Sequence, residues 1–308
     1  MIASDTMTAS RPREAAPADE RHRDLANRHP CLGGTAHGTS GRMHLPVSPA
    51  CNIQCRFCRR AFNRDESRPG VTGRILRPTE AIHYVARALE LCPAITVVGI
   101  AGPGDTLATD HAVQAFRLID LEFPRLIKCL STNGLRLEEK VGALVEAGVS
   151  TVTVTVNGVD PEVVGKIVSR VVDETGRVHH DERGAALLIE RQLAGIRSAH
   201  ASGIFIKINM VLVPGINDGH VAETAAAVKE AGASMLNLIP LIPQHELAHV
   251  PEPDFKALFK AQRDAEIFLP IFRHCRRCRA DACGIPGQQD FAAQLYGGPL
   301  AAQTFSHG

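Results

Sequence analysis

The sequence predicts an α/β fold, a partial (βα)6 TIM-like barrel with N-terminal and C-terminal extensions. Six short apolar segments alternate with amphipathic segments of helical period, which is the pattern of parallel βα units. Polar residues gather at the C-terminal ends of the predicted strands, where βα barrels carry their chemistry. No G-x-G-x-x-G follows the first strand, which disfavours the alternative, a flat doubly wound sheet.

The predicted elements follow one another in regular order after a polar start. The predicted strands are residues 44–48, 94–101, 125–132, 150–157, 204–213 and 234–242. The predicted helices are residues 78–91, 110–122, 137–147, 184–201 and 218–231. We divide the chain into a flexible N-terminal extension at 1–41 that ends in a His-Pro-Cys motif, the barrel at 42–250, and a helical, cysteine-containing tail at 251–308.

Composition limits the class of protein. The chain has 308 residues, of which 44% are hydrophobic and 22% charged, and its formal net charge is +1. So small a charge provides no basic field for nucleic acid, and no apolar run reaches the length of a membrane span. The N-terminal segment has no apolar signal core. We therefore expect a cytoplasmic protein without a nucleic-acid or membrane partner, whose cysteines bind metal rather than form disulfides.

Three cysteines after the first predicted strand, Cys51, Cys55 and Cys58, have C-x3-C-x2-C spacing. Three thiolates in one loop can hold three irons of a 4Fe–4S cluster and leave the fourth iron free to bind a small molecule. Structural zinc and electron-transfer clusters usually take four protein ligands, so a trio is unusual. The alternatives are a zinc loop that borrows a distant ligand, and buried thiols with no connection to one another.

The later strands carry polar side chains on one face. Side chains alternate along a strand with a period of two, so Thr153, Thr155 and Asn157 share a face, and so do Lys207 and Asn209. A lysine between isoleucines on an interior strand needs a partner, and a bound carboxylate would provide one. The alternative is a polar core whose groups satisfy one another.

Further short strings occur in order between His29 and Gly284. They are His29-Pro-Cys31, Arg42-Met-His44, Pro49-Ala-Cys51-Asn-Ile-Gln-Cys55, Glu66-Ser-Arg-Pro-Gly70, Gly99-Ile-Ala-Gly-Pro-Gly-Asp105, Ser131-Thr-Asn-Gly134, Glu190-Arg-Gln-Leu193, Pro214-Gly-Ile-Asn-Asp218 and Cys275-Arg-Arg-Cys278-Arg-Ala-Asp281. Together with Phe57 just before the third loop cysteine, they resemble the radical S-adenosylmethionine (SAM) superfamily. Within it they resemble the NifB-type family, which makes the precursor of the nitrogenase iron–molybdenum cofactor.

The resemblance implies a radical SAM enzyme of nitrogen fixation. Family members fuse two additional 4Fe–4S substrate clusters into an eight-iron precursor and take its carbide carbon from a SAM methyl group. Cys51, Cys55 and Cys58 would hold the SAM-binding 4Fe–4S cluster. The expected partners are iron–sulfur donor proteins, cofactor carrier or scaffold proteins of nitrogenase assembly, and an electron donor such as ferredoxin or flavodoxin. The rival functions are a divergent radical SAM enzyme that modifies a peptide or small molecule and uses the extra cysteines for auxiliary clusters, and a non-catalytic iron–sulfur scaffold.

The resemblance also implies roles for individual residues. SAM would be contacted by the glycine run and by polar strand ends, namely Gly102, Gly104, Asp105, Ser131, Asn157, Lys207 and Asn209. The substrate clusters would be ligated by Cys31, Cys129, Cys275 and Cys278, assisted by His29. The catalytic candidates are Cys129 and Glu66. The role of Glu66 rests on its position eight residues past Cys58, because a carboxylate this close to the cysteine loop would be able to ligate an iron or receive a proton during methyl transfer.

Several of these residues also have a simpler structural interpretation. Cys275 and Cys278 have the spacing of a zinc knuckle, and Cys129 has the size of an ordinary buried residue. A charge-rich loop such as the one around Glu66 is more often a solvated surface. Cys92 is predicted to be structural.

One departure from the family pattern leads to a further hypothesis. Many NifB-type proteins carry a cysteine upstream of the His-Pro-Cys string, whereas this chain has none before Cys31. The tail offers one more thiol, Cys283, in the spacing C-x2-C-x4-C, and the intervening residues can turn back on themselves. We hypothesise that Cys283 replaces the missing ligand. The alternative is a small buried residue.

Overall fold

The computed structural model describes residues 18–297 and 306–307. In chain order the strands are β1 (Gly41–His44), β2 (Ala50–Cys51), β3 (Ile53–Cys55), β4 (Ala61–Phe62), β5 (Val71–Thr72), β6 (Ile95–Ile100), β7 (Ile127–Thr132), β8 (Val149–Thr155), β9 (Val168–Val172), β10 (Val178–His180), β11 (Phe205–Leu212), β12 (Met235–Pro240), β13 (Cys283–Gly284) and β14 (Ser306–His307). The α-helices are α1 (Ala18–Arg28), α2 (Ala81–Leu91), α3 (His111–Glu122), α4 (Leu137–Glu146), α5 (Pro161–Gly165), α6 (Asp181–Ala201), α7 (Val221–Glu230), α8 (Phe255–Glu266) and α9 (Ala292–Leu295). Short 3-10 turns lie at Gly34–Ala36, Pro78–Glu80 and His245–Leu247.

The main sheet has seven strands in the order β12-β11-β8-β7-β6-β1-β13. Its first six members pair in parallel, with helices in the connections, as the predicted partial barrel requires. The six predicted strands are confirmed, but the first lies earlier in the chain than predicted. It ends at His44 because Pro46 has no N–H to donate to the neighbouring strand, and the Val47 N–H turns back to the Leu45 carbonyl.

The tail supplies a seventh strand that the sequence did not predict. β13 pairs antiparallel with β1, with Met43 opposite Cys283 and Arg42 opposite Gly284. The tail is therefore part of the sheet and lies against the first strand of the barrel.

A hairpin between α5 and α6 also lies outside the predicted elements. Strands β9 and β10 pair antiparallel, and β9 pairs in turn with β3, with Ile53 opposite Val171. The hairpin therefore supports the loop that carries the three closely spaced cysteines.

The hydrophobic core lies between the sheet and the helices. Phe116 and Ile119 of α3, Leu144 of α4 and Ile206 of β11 are fully buried there. Burying a side chain of this size contributes about 1.5–3 kcal/mol. This core fixes the outer face of the sheet and leaves the opposite face for polar residues.

The described part of the N-terminal extension has defined structure. The Arg28 carbonyl at the end of α1 accepts a hydrogen bond from the Thr96 hydroxyl at 2.6 Å, and the Arg28 guanidinium donates to the Arg125 carbonyl at 3.0 Å. These contacts anchor the segment before Cys31 to the sheet, whereas residues 1–17 of the extension predicted to be flexible lie outside the described residues. Among the helices in the described ranges, none has the length and apolar character needed to cross a membrane.

Candidate active site

A cavity of about 360 Å³ lies on the inner face of the sheet, within the size range of small-molecule sites. Its lining includes Cys129 and Ser131 of β7, while Lys128 of the same strand points the other way and pairs with Asp120. Seven of the nine cysteines line the cavity, namely Cys31, Cys51, Cys55, Cys58, Cys129, Cys275 and Cys278. The structure thus brings together thiols from the N-terminal segment, the cysteine loop, β7 and the tail.

The cysteine loop is held by its own side chains and by the hairpin. The Gln54 side-chain amide donates to the carbonyls of Cys55 at 2.9 Å and Cys58 at 3.2 Å. The Cys58 N–H donates to the Cys55 carbonyl at 3.0 Å, and the Ser169 hydroxyl of β9 donates to the Gln54 carbonyl at 3.3 Å. Because the backbone between the thiols is tied down, their positions on the cavity wall are set by the fold.

The three loop thiols are suited to an iron–sulfur cluster. Burial raises the pKa of Cys51 to about 12 and also raises the pKa values of Cys55 and Cys58, so iron binding would release their protons. Within residues 18–297 and 306–307, no three His, Cys, Asp or Glu side chains are placed to share a single metal ion. Three thiols of one loop that face one cavity fit a 4Fe–4S cluster, in which each iron takes its own thiolate.

The glycine run packs directly against the chain that precedes the cysteine loop. Gly104 and Asp105 donate their N–H groups to the carbonyls of Ser48 and Ala50, each at 2.8 Å. A Cβ at Gly104 would lie 2.0 Å from the Ala50 oxygen, so only glycine fits there. Gly102 has a φ of +119° and lines the cavity beside Gly104. The run therefore also positions the cysteine loop, besides the predicted role in binding SAM.

Asp105 connects the glycine run to the end of β7. Its buried carboxylate accepts hydrogen bonds from the Asn133 N–H at 2.6 Å, the Leu107 N–H at 2.9 Å and the Thr132 hydroxyl at 3.0 Å. Burial raises the pKa of Asp105, and these hydrogen bonds oppose the rise. Ser131, just before this turn, lines the cavity, so Asp105 fixes the wall from which Ser131 faces the ligand space.

Amide side chains form a row across β11 and β12. Asn209 lies beside Asn237, whose side-chain N–H donates to the Asn209 oxygen at 2.9 Å. The Asn237 side-chain oxygen is buried without a hydrogen-bond partner, which is costly unless a ligand supplies one. The Asn157 side chain accepts the Val211 N–H at 2.9 Å and lines the same wall. Sequence reasoning missed Asn237, although its position in the sixth predicted strand was a usable signal.

The register of the sheet places a second group of ligand-type residues side by side. His44, Gly99 and Cys129 are neighbours on three adjacent strands. A Cβ at Gly99 would lie 3.0 Å from both the Cys129 sulfur and the His44 ring, so the glycine lets these two groups approach. Burial lowers the pKa of His44 to about 4, and its Nδ1 lies 2.9 Å from the Arg279 carbonyl. A neutral ring that donates from Nδ1 leaves Nε2 free to bind a metal. His44 was missed as a ligand candidate.

The His-Pro-Cys motif lies at the same end of the cavity. His29 is buried, its Nδ1 accepts the Cys31 N–H at 3.1 Å, and burial lowers its pKa to about 3. Burial raises the pKa of Cys31 and raises that of Cys129 to about 12. Cys275 is exposed and Cys278 half-buried, and both line the cavity from the tail. The predicted substrate-cluster cysteines are thus brought together, while their ligand roles stay predictions.

Two buried cations contact this second group of cysteines. The Lys207 ammonium donates to the Cys31 carbonyl at 2.7 Å and lies 3.7 Å from the centre of the Phe272 ring. Burial lowers the pKa of Lys207, and the surrounding thiols oppose that effect. The Arg42 guanidinium donates to the Cys278 sulfur at 2.8 Å and to the Gly284 carbonyl at 3.2 Å. Lys207 therefore lies among the cysteines predicted to ligate substrate clusters, whereas the sequence suggested a bound carboxylate as its partner, and Arg42 was not predicted.

Two predicted residues do not line the cavity. Cys283 is fully buried in the hydrophobic core on β13, so the hypothesis that it ligates a substrate cluster is not supported, and the alternative of a small buried residue describes its position. The Glu66 carboxylate is exposed and accepts hydrogen bonds from Arg68 and Asn63, each at 2.6 Å. Cys92, predicted to be structural, is also in the core.

Comparison with known proteins gives the following relatives. Residues 45–228 match the profile of the Radical SAM superfamily. The chain is 44% identical over 270 residues to the FeMo cofactor biosynthesis protein NifB of Methanocaldococcus jannaschii, covering 87% of this chain and 89% of that protein. It is 42% identical over 264 residues to the protein of the same name from Chlorobaculum tepidum, covering 84% of this chain and 62% of the relative.

Solved structures share the fold at low sequence identity. A radical SAM methyltransferase from Sphaerobacter thermophilus superimposes with a TM-score of 0.54 at 18% identity, covering 75% of this chain and 64% of the other. Streptococcus suis SuiB bound to S-adenosylmethionine also gives a TM-score of 0.54, at 14% identity, covering 82% of this chain and 53% of the other. These similarities agree with the partial-barrel architecture.

Proposed function

Since the chain belongs to the radical SAM superfamily and, within it, to the NifB family of FeMo cofactor biosynthesis proteins, we propose that it is the SAM-dependent enzyme that builds the iron–sulfur precursor of the nitrogenase cofactor. In the proposed reaction, two 4Fe–4S substrate clusters are fused into an eight-iron core. A SAM methyl group supplies the carbide carbon of that core.

One observation carries this proposal: the cavity contains two separate groups of thiols. The first group is the loop trio, which suits a SAM-binding cluster. The second group comes from three distant parts of the chain, namely Cys31, Cys129, Cys275 and Cys278. A SAM-binding cluster needs only the first group, so the second group has another use, to hold either auxiliary clusters or clusters that are the substrate, and membership of the NifB family favours the latter. The second group supports iron–sulfur clusters as the substrate.

Residues of this chain have different roles in the two halves of the cavity. When bound, the cluster on the loop trio supplies the electron that cleaves SAM. Asp105 and the glycine run hold the loop and the end of β7 in fixed positions around the ligand space. Asn209 and Asn237 offer amide groups, one of them an unsatisfied acceptor, to the polar parts of SAM. In the other half, the second thiol group would bind the substrate clusters.

The proposed reaction needs other proteins. Clusters must be delivered, electrons must be supplied, and the product must be carried away. We therefore propose as partners an iron–sulfur donor, a cofactor carrier or scaffold, and a ferredoxin- or flavodoxin-type electron donor, all in the cytoplasm.

Anaerobic reconstitution followed by product transfer tests the function. The loaded protein should bind about 12 irons per chain, as three 4Fe–4S units, and form 5′-deoxyadenosine from SAM and a reductant. Its product should then activate nitrogenase that lacks its cofactor. SAM cleavage without transferable precursor would indicate an enzyme with another substrate, and clusters without SAM cleavage would indicate a scaffold.

Cysteine variants separate the two groups of thiols. Replacing the loop trio by alanine should abolish 5′-deoxyadenosine formation and remove about a third of the iron. Cys278→Ser should lower the iron content and the precursor yield. Cys92→Ala is the matched control, because Cys92 is buried in the core and does not line the cavity. Continued SAM cleavage in the trio variant would contradict the assignment.

A further inference from the structure

Lys207 and Arg42 are buried cations that face the same part of the cavity. Their relative exposures are 5% and 7%. Among the residues that the structure describes, neither has a carboxylate within the 4.0 Å of an ion pair, and Asp290 attracts Arg42 only from a greater distance. Burying a charge without an opposite charge is strongly unfavourable.

Other buried cations of the same sheet and tail do have carboxylate partners. Lys128 on β7 has a side-chain exposure of 3% and pairs with Asp120. Arg279 has a side-chain exposure of 10% and pairs with Asp281. Buried cations outside the cavity therefore have a carboxylate partner within ion-pair distance. In the part of the chain that the structure describes, the absence of such a partner at Lys207 and Arg42 is specific to the cavity.

The groups around the two cations are thiols and neutral acceptors. Lys207 contacts the Cys31 carbonyl and the Phe272 ring, and its electrostatic partners include the Cys31, Cys129 and Cys278 thiols. Arg42 donates directly to the Cys278 sulfur, and its Nε–H is buried without any partner. Both cations and one free donor therefore face a space bordered by metal-binding sulfur atoms.

We propose that Lys207 and Arg42 supply the counter-charge for an anionic iron–sulfur substrate held by Cys31, Cys129 and Cys278. A cluster held by thiolates is an anion, because its sulfides and thiolates carry more negative charge than its irons carry positive charge. N–H donors and nearby cations stabilise such a cluster, and they stabilise its reduced form most. This inference rests on the proposed function, and it assigns Lys207 to the substrate rather than to SAM.

Variants that remove one charge test the proposal in the protein before and after anaerobic reconstitution with iron and sulfide. Lys207→Met keeps the length of the side chain and its packing on Phe272 but removes the charge. Arg42→Gln removes the charge and Arg42→Lys retains it. Lys128→Met is the matched control, because it removes an equally buried lysine that has its own carboxylate partner.

Removing the Lys207 charge should have opposite effects before and after reconstitution. It should not destabilise the apo-protein, but it should weaken cluster binding. Before reconstitution, Lys207→Met should unfold at the same temperature as the parent or higher, because an uncompensated charge has been removed. After reconstitution, Lys207→Met and Arg42→Gln should each bind up to about a third less iron, and the remaining substrate-cluster signal in paramagnetic resonance should titrate at a more negative potential. Arg42→Lys should recover part of both losses. Lys128→Met should lower the unfolding temperature and leave iron content and potentials as in the parent.

Three outcomes would overturn the proposal. Full iron content with unshifted potentials in Lys207→Met and Arg42→Gln would leave both cations a purely structural role. Weaker SAM binding with intact substrate-cluster iron in Lys207→Met would return this lysine to the SAM carboxylate. If the parent protein itself binds only the SAM cluster, the proposed function fails too, and the parent measurement alone identifies that case.

Discussion

The Arg279–Asp281 ion pair joins the C-terminal tail to the loop at residues 63–73, and replacing Asp281 by Asn tests its contribution. Asp281 accepts two hydrogen bonds from the Arg279 guanidinium at 2.8 and 3.0 Å and one from the Gly73 N–H at 2.6 Å. The exposed fractions of the two side chains are 10% for Arg279 and 3% for Asp281. Arg279 also donates to the carbonyls of Asn63 and Glu66.

The expected loss of stability follows from these contacts. Removing one partner of a buried pair costs about 3–5 kcal/mol. The lower end applies here, because the guanidinium keeps two carbonyl acceptors and the asparagine oxygen still accepts the Gly73 N–H. Unfolding entropy of about 2.1 cal/mol/K per residue gives about 0.6 kcal/mol/K for 308 residues, so about 3 kcal/mol corresponds to a fall in Tm of about 5 °C.

An exposed arginine–carboxylate pair that also has two hydrogen bonds is the control. Arg273 donates two hydrogen bonds to Glu266, both at 2.9 Å, with exposed fractions of 37% and 50%. Solvent screens an exposed pair, so Glu266→Gln should lower Tm by clearly less than Asp281→Asn does. Both variants are compared by calorimetry of the apo-protein. Equal falls in Tm would show that burial adds nothing to the Arg279–Asp281 pair, and the argument would be wrong.

Three further substitutions have defined expectations. On the hypothesis that the Glu66 carboxylate ligates an iron or receives a proton, Glu66→Gln should lower the precursor yield in the reconstituted assay while changing stability by less than about 1 kcal/mol, and an undiminished yield would leave Glu66 as an exposed residue paired with Arg68. Gly104→Ala places a Cβ 2.0 Å from the Ala50 oxygen and should reduce 5′-deoxyadenosine formation and cluster iron. Gly142→Ala is the control, because its Cβ would meet no atom within 4 Å outside its own helix, and it should stabilise α4 by up to about 1 kcal/mol without changing iron. Cys283→Ser should cost about 1–3 kcal/mol by burying a hydroxyl in the core and leave the iron count unchanged, so a loss of iron would restore its ligand role.

Local pattern was enough to predict the barrel strands and the cysteine loop. Each barrel strand has aliphatic residues on one parity, and the loop thiols are close in the chain, so both leave a signal in consecutive residues. Strand β13 has only two residues, too few to show the alternation of apolar and polar residues by which a strand is recognised in a sequence. Its pairing with β1 is decided by tertiary contact, so the sequence predicted a C-terminal tail and no seventh strand.

The partners of the buried cations could not be predicted for a different reason. The isoleucines around Lys207 showed that it needs a partner, but the carbonyl that it contacts is 176 positions away in the sequence, at Cys31. Arg42 lies just before the strand as predicted, and the sulfur that it contacts, Cys278, is 236 positions away. Spacing identifies the kind of chemistry here, whereas only the assembled sheet shows which groups meet.

The two groups of thiols also become available at different times during synthesis. The loop trio and its glycine run lie within the first 105 residues. The second group joins Cys31 to Cys278, and at about 5–20 residues per second the ribosome needs about 12–50 s to make the chain between them. Until Cys278 has been made, the Arg42–Cys278 contact cannot form. The second group of thiols can therefore come together only after Cys275 and Cys278 have been made, well after the loop trio is complete.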